Sequence, residues 1–463
     1  MIFSSTLFLF LFLPATLLIY YLIPAKYVNA RNYELLAMSL IFYAWGEPKN
    51  IVLMFFSIFL NYIFGLLLRI FDEKKGARKA VLIVSVIFNL GMLFFFKYFG
   101  FFTGNRFGTI ALPIGISFFT FQIMSYTIDV YRRNVPAQTN VAKLGLYISL
   151  FPQLIAGPIV RYIDVANELD NRTSTLDATF RGVVRFSMGL AKKVVISNTV
   201  ALLADTIFAL DPKNMTAATA WLGALAYMLQ IYFDFSGYSD MAIGIGDMLG
   251  FHFPENFDYP YISSTVQEFW RRWHMTLSTW FRDYLYIPLG GNRKGKVRTY
   301  INLLIVFACT GFWHGASFNF LVWGLYHGLF LVIERLGFKK VLEKLPKFLG
   351  RIYTLLVVIV GWVFFRADTL TAAVKYLGAM FRFTNFGWVK AVAQLDGYTI
   401  VLLLAAIVLC MPVYPKVKQK LLAKDGGETV VPLLDGVLAA VLVVISIYCL
   451  SGSDYNPFIY FRF

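Results

Sequence analysis

Charge is scarce in this sequence. Asp, Glu, Lys and Arg make up 15% of the 463 residues, against about 25% in soluble domains, so water is not the main solvent for this chain. Cysteine is scarcer still. Cys309, Cys410 and Cys449 all lie inside apolar runs, without CxxC spacing, and the chain has only four histidines. Neither a disulfide framework nor a zinc site is expected from such usage, and no metal ligands and no thiolate mechanism are assigned. There is also no Gly/Ser linker, no low-complexity tract and no repeat of roughly 20–50 residues, so a single membrane domain over 1–463 is expected. The first apolar run lacks a preceding basic residue and a following small-residue cleavage site. It reads as a retained first span and not as a cleaved signal.

What the sequence has is hydrophobicity: 59% apolar residues and a mean hydropathy of +0.65. Runs such as Met1–Pro24, Ile51–Leu68, Val81–Phe96, Tyr353–Phe364 and Thr399–Met411 recur along the chain, and a helix of roughly 20 residues crosses a bilayer. An all-α polytopic membrane protein is predicted, with about ten to twelve transmembrane helices plus re-entrant and interfacial ones. The net charge of +16 is assigned to short loops facing the cytoplasm and its anionic lipids, not to nucleic acid. Lys26 and Arg31 follow the first span, and Arg69, Lys74, Lys75, Arg78 and Lys79 follow the third. That placement puts both loops inside and the N-terminus outside, but beyond Arg133 the chain is too polar for loop counting to fix the topology.

The two ends, 1–99 and 351–463, read as ordinary spans, whereas 112–323 mixes apolar runs with Pro, Gly, Asp, Arg and His. Polar groups at membrane depth must be enclosed by protein or line a cavity. Breaks at Leu112-Pro113-Ile114-Gly115 and at Ala156–Arg161 suit re-entrant or bent elements, or an ordinary kinked helix. In the run from Gln267 to Tyr284, helical spacing places Trp270, Trp273, Leu277, Trp280, Phe281 and Tyr284 on one face and Gln267, Arg271, His274, Ser278 and Arg282 on another. Such a helix suits either an interfacial position among headgroups or a polar cavity wall.

His314 ends an apolar run in Phe312-Trp313-His314-Gly315. An imidazole at membrane depth is a functional candidate, since it exchanges protons near neutral pH, although a span-capping role at the interface is also open. His327 and His252 are single and flanked by aromatics, the usual setting of packed or headgroup-level histidines. From Asp234 to Asp247 a helix aligns Gly237, Asp240, Gly244 and Asp247. Small residues there allow close helix approach, and the acids need cationic partners, for which Arg271, Arg272 and Arg161 are the expected choices. Ile287–Arg293 has the Gly-Gly and basic character of a phosphate-holding loop, without the lysine-serine pattern of a nucleotide loop.

At these positions the sequence resembles the bacterial membrane-bound O-acyltransferase family, in its alginate O-acetyltransferase branch. The resemblance covers nearly the whole chain. It is densest in Gln230–Asp240, Pro254-Glu255-Asn256-Phe257, Glu268–His274, Arg282–Arg293 and Phe312–Ala316, with Ala156–Arg161 and Phe458-Ile459-Tyr460-Phe461 as further points of likeness. It implies tilted and partial helices around a central tunnel, with His314 as the catalytic histidine and His274 facing it across the tunnel. Arg271, Ser278, Arg282, Asp240, Trp313 and Arg293 are the expected tunnel-lining or substrate-contacting residues.

The resemblance further implies acetyl-CoA as donor substrate with no bound cofactor. It implies O-acetylation of an extracytoplasmic polysaccharide from the bacterial cytoplasmic membrane, and a separate extracytoplasmic SGNH-type acetyltransferase as partner besides membrane lipids. His274 is expected to position a substrate or to stabilise the oxyanion, and Arg271, Arg272 and Arg293 to hold donor phosphates or to anchor to lipid. D-alanyl or longer acyl transfer, a transporter built on broken helices, and a scaffold that only recruits a secreted acetyltransferase are the alternatives.

Overall fold

Hydrophobicity along this chain is delivered as helices, and the computed structural model describes residues 1–108, 110–382, 392, 395–452 and 455–459. Among the described residues there is no strand beyond one antiparallel bridge, Phe257 to Trp273. Packing divides the chain into two units, Met1–Phe186 with Tyr238–Glu255, and Ser187–Gly237 with Asn256–Phe463.

The first unit contains α1 (Phe8–Leu22), α2 (Val28–Gly46), α3 (Ile51–Ile70), α4 (Lys75–Lys97), α5 (Ile116–Arg132) and α6 (Val141–Ser149). Two long helices are shared by sequence: α7 (Leu176–Phe208) begins in the first unit and ends in the second, and α8 (Ala217–Leu249) does the reverse. Polar side chains turn inward and find partners there. Asn61 on α3 and Asn89 on α4 donate to each other at 3.1 and 2.8 Å, the kind of interhelical bond that holds helices together where lipid supplies no hydrophobic drive. Val52, Phe55 and Phe59 on α3 stay exposed as a lipid-type face.

Arg78, counted as a loop cation in the topology argument, is buried instead. It pairs with Asp72 and donates to the carbonyls of Leu68, Val130 and Tyr131. The broken segment from Phe151 to Val160 is buried throughout, as non-helical backbone at membrane depth must be.

The second unit contains α9 (Val266–Arg272), α10 (Met275–Phe281), α11 (Lys296–His314), α12 (Phe318–Lys344), α13 (Lys347–Arg366), α14 (Leu370–Met380), α15 (Gly397–Leu409), α16 (Val413–Leu422) and α17 (Gly427–Ser451). Helices α11 and α12 approach so closely that a Cβ on Gly311 would lie 2.1 Å from the Phe320 carbonyl oxygen, and one on Gly324 2.1 Å from that of Phe307. Only glycine permits this backbone contact, which fixes the end of α11, where His314 sits.

Among the described residues, six helices, α3, α4, α7, α12, α13 and α17, are long and apolar enough to cross a membrane, and seven if α15 and α16, bent by 62°, form one broken span. The larger total expected from apolar runs includes stretches built as shorter or interrupted helices, such as α1.

Two acids of α8, Asp240 and Asp234, are paired with cations of α7, and here the structure corrects the expected pairing. Asp240 meets Arg185 at 3.0 Å, and the same guanidinium reaches Glu255 at 2.6 Å. Asp234 meets Lys193 at 2.6 Å. Arg272 is engaged with Asp258 and Glu268, and Arg161 with Asp164. The true partners, on α7, lie 55 residues from Asp240 and 41 from Asp234 along the chain (240 − 185 and 234 − 193), beyond the reach of local pattern reading.

Candidate active site

The run from Gln267 to Tyr284 does not form one helix. It breaks between α9 and α10, where His274 takes a left-handed backbone conformation with φ 45°. This costs most side chains strain. What holds it is the segment beginning at Asn256: the Asp258 N–H bonds to the Arg272 carbonyl and the Met275 N–H to the Asn256 carbonyl, each at 3.0 Å, around the Phe257–Trp273 bridge. The break turns His274 off the polar stripe on which helical spacing had placed it.

Asn256 also sets the chemistry of that ring. Its Oδ1 accepts from the Thr276 hydroxyl at 2.9 Å and from the Thr276 N–H at 3.4 Å, and His274 Nδ1 lies 3.0 Å away. An oxygen so placed is an acceptor, so Nδ1 carries the proton and Nε2 keeps its lone pair. His274 is 1% exposed, and burial pushes its pKa down to about 3. It is therefore neutral at physiological pH, with Nε2 as its acceptor atom. The stability it contributes is full above its ordinary value of 6.5 and is lost as pH falls towards 3, because only the unfolded chain takes up the proton in that window.

His314, 6% exposed at the last position of α11, faces the same cavity. The two imidazole centroids are 6.5 Å apart, and both rings line a small cavity walled by Phe235, Trp273, Trp323, Trp362 and Phe365. Trp323 stands edge-on to His314 at 5.2 Å, Phe365 at 5.1 Å and Trp313 at 5.0 Å. This largely apolar lining surrounds two bases, the setting in which proton transfer and fixed dipoles act most strongly. Trp323 is fully buried, and its indole N–H makes no hydrogen bond to any described residue.

A second, larger cavity is lined by Gln267, Arg271 and Ser278 of the stripe, together with Trp270, Thr310 and Arg335. Thr310 is one helical turn before His314 on α11. Arg271 and Ser278 thus line a cavity, and Trp313 is buried against both histidines. Arg282 is exposed and paired with Asp283, and Arg293 is exposed in the turn after Gly290-Gly291. Asp240 belongs to the first unit with Arg185. His252 is exposed beside Glu168 at 2.7 Å, and His327 is fully buried between Trp270 and Trp323.

Sequence reasoning assigned no role to Asn256 or Trp323. The Pro254–Phe257 motif carried the signal for the first, while Trp323 lies in a run too uniformly apolar to single it out.

The neutral tautomer makes a checkable prediction. His274→Asn, which tolerates the left-handed backbone, is expected to lower kcat yet leave the acid limb of the pH–rate profile between about pH 5 and 8 in place. A shifted limb would mean that His274 is the titrating group.

Residues 32–372 match the membrane-bound O-acyltransferase family. The chain is 43% identical to "Probable alginate O-acetylase AlgI" of Pseudomonas putida, with all of both chains covered. It is 38% identical to the peptidoglycan O-acetyltransferase of Helicobacter pylori, over 82% of this chain and 80% of that one. It is 29% identical to the teichoic acid D-alanyltransferase of Bacillus subtilis, over 47% of this chain and 58% of that one.

Proposed function

The chain belongs to the membrane-bound O-acyltransferase family and is a multi-pass membrane O-acyltransferase, and from that premise we propose that it moves acetyl groups from cytoplasmic acetyl-CoA to an extracytoplasmic acceptor for polysaccharide O-acetylation. The observation that carries this reading is the pair of buried imidazoles, 6.5 Å apart across one aromatic cavity.

In the reaction, the acceptor hydroxyl oxygen attacks the thioester carbonyl carbon while its proton passes to His314. The new C–O bond forms, the tetrahedral intermediate collapses with cleavage of the C–S bond, and His314 returns the proton to the departing CoA thiolate. His274, accepting through Nε2, orients the hydroxyl and is not suited to donating to the oxyanion. The indole N–H of Trp323 is the donor assigned to that oxyanion. Trp323→Phe keeps the ring and removes the N–H, and is expected to lower kcat by about 10²-fold with little change in KM. An unchanged kcat would remove Trp323 from the mechanism.

Arg271 and Arg335 at the larger cavity suit an anionic donor. The acetylating relatives, matched over four fifths of the chain or more, favour acetyl over D-alanyl transfer. The setting proposed is the bacterial cytoplasmic membrane, with a separate SGNH-type acetyltransferase passing the group on to the polymer. Offering the purified protein acetyl-CoA and a D-alanyl carrier-protein thioester in parallel tests the donor. Turnover of acetyl-CoA alone supports the proposal, and turnover of the carrier thioester alone overturns it.

A further inference from the structure

One wall of the histidine cavity comes from far along the chain. Ile459 lines it, on a segment, Tyr455–Ile459, that is tied down at nearly every residue. The Ile459 N–H donates to Asp234 Oδ2 at 2.9 Å. The other carboxylate oxygen of Asp234 meets Lys193 Nζ at 2.6 Å, with the two side chains 2% and 1% exposed. Lys193 in turn donates to the Pro457 carbonyl and, at 3.0 Å, to Asn198 Oδ1. Asn198 donates to the Asn456 side chain at 3.3 Å, and the Tyr455 hydroxyl donates to Asp205 at 2.6 Å. Asp205 is itself fixed by Arg366 at 2.6 Å. A fully buried ion pair is costly to desolvate and is weak as a source of stability. Here each member of the pair also bonds the backbone that presents Ile459, Lys193 at the Pro457 carbonyl and Asp234 at the Ile459 N–H.

The other walls are aromatic or imidazole except for Ile231. Ile231 is part of α8 and is held by the helix itself. Among the described residues that line the cavity, Ile459 is therefore the aliphatic one held by bonds from distant parts of the chain.

We propose that Ile459 is the acyl-length gauge of the cavity and that the Lys193–Asp234 pair is the positioning device that holds it there, so that only a short acyl group fits beside His314. The inference rests on the acyl-transfer reading of the cavity given above and extends it to the size of the group carried.

The test compares kcat/KM for butyryl and acetyl donors in wild type, Ile459→Ala, Ile459→Phe and the charge-neutral pair Lys193→Met with Asp234→Leu. Each methylene in an apolar pocket discriminates by about 10-fold or more. Ile459→Ala is therefore expected to raise the butyryl-to-acetyl ratio at least ~10-fold, and Ile459→Phe to lower it by a similar factor. The charge-neutral pair is expected to shift the ratio as Ile459→Ala does, since it releases the segment.

Ratios within about twofold of wild type in both Ile459 variants would overturn the gauge. A wild-type ratio in the charge-neutral pair would overturn the clamp. Both acyl groups are offered as CoA thioesters and as carrier-protein thioesters. If wild type uses only the carrier series, the CoA donor assignment fails, while the ratio on that series still reads Ile459.

Discussion

His314→Ala is expected to lower kcat by about 10²–10⁴-fold while the melting temperature in detergent stays close to wild type. The loss is large because the substitution removes the base from an apolar box that offers no substitute: the neighbouring rings are Trp313, Trp323 and Phe365. His274, with its Nδ1 proton held by Asn256 and its ring centroid 6.5 Å away, is committed to a different position. Stability should change little, because His314 sits at the last position of α11, beyond the glycine contacts that join α11 to α12. The check is single-turnover transfer alongside thermal melting of the same preparation. A variant that melts normally and turns over within about tenfold of wild type would remove His314 from the chemistry and favour a scaffold role.

The second large effect concerns stability. Lys193→Met leaves the Asp234 carboxylate buried at 2% exposure without its cation, and breaking a buried pair by removing one partner costs about 3–5 kcal/mol. The Pro457 carbonyl and Asn198 Oδ1 lose their donor in the same step. A marked fall in melting temperature, with recovery when Asp234→Leu is added, is the expected pattern. Equal melting of the single variant and wild type would show that the pair is solvated.

The sequence carried some of this and hid the rest for identifiable reasons. The helical, membrane-spanning character follows from apolar runs, and the candidacy of His314 from an ionisable group in one of them. His274 was found by motif likeness, while helical spacing placed it wrongly. Periodicity assumes a continuous helix, and the left-handed turn at His274 depends on pairing with Asn256, 18 residues earlier. Arg271 and Ser278 followed the stripe to a cavity, but Arg282 on the same stripe is exposed and paired with Asp283, where the helical winding widens over Arg282–Tyr286.

Arg185 and Lys193 escaped notice because ion pairs between helices leave no local signature. Ile459 fell within a quoted motif whose last two residues, Tyr460 and Phe461, lie outside the described residues. Its place in the cavity wall depends on a hydrogen bond to Asp234, 225 residues earlier.

The most direct test of acyl transfer across the membrane uses proteoliposomes with the protein in one orientation, the acceptor partner inside and radiolabelled acetyl-CoA outside. In liposomes whose cytoplasmic face is outward, label should appear on the enclosed acceptor with wild type and be absent with His314→Ala. No label on the acceptor with wild type, or equal labelling with His314→Ala, would contradict the account.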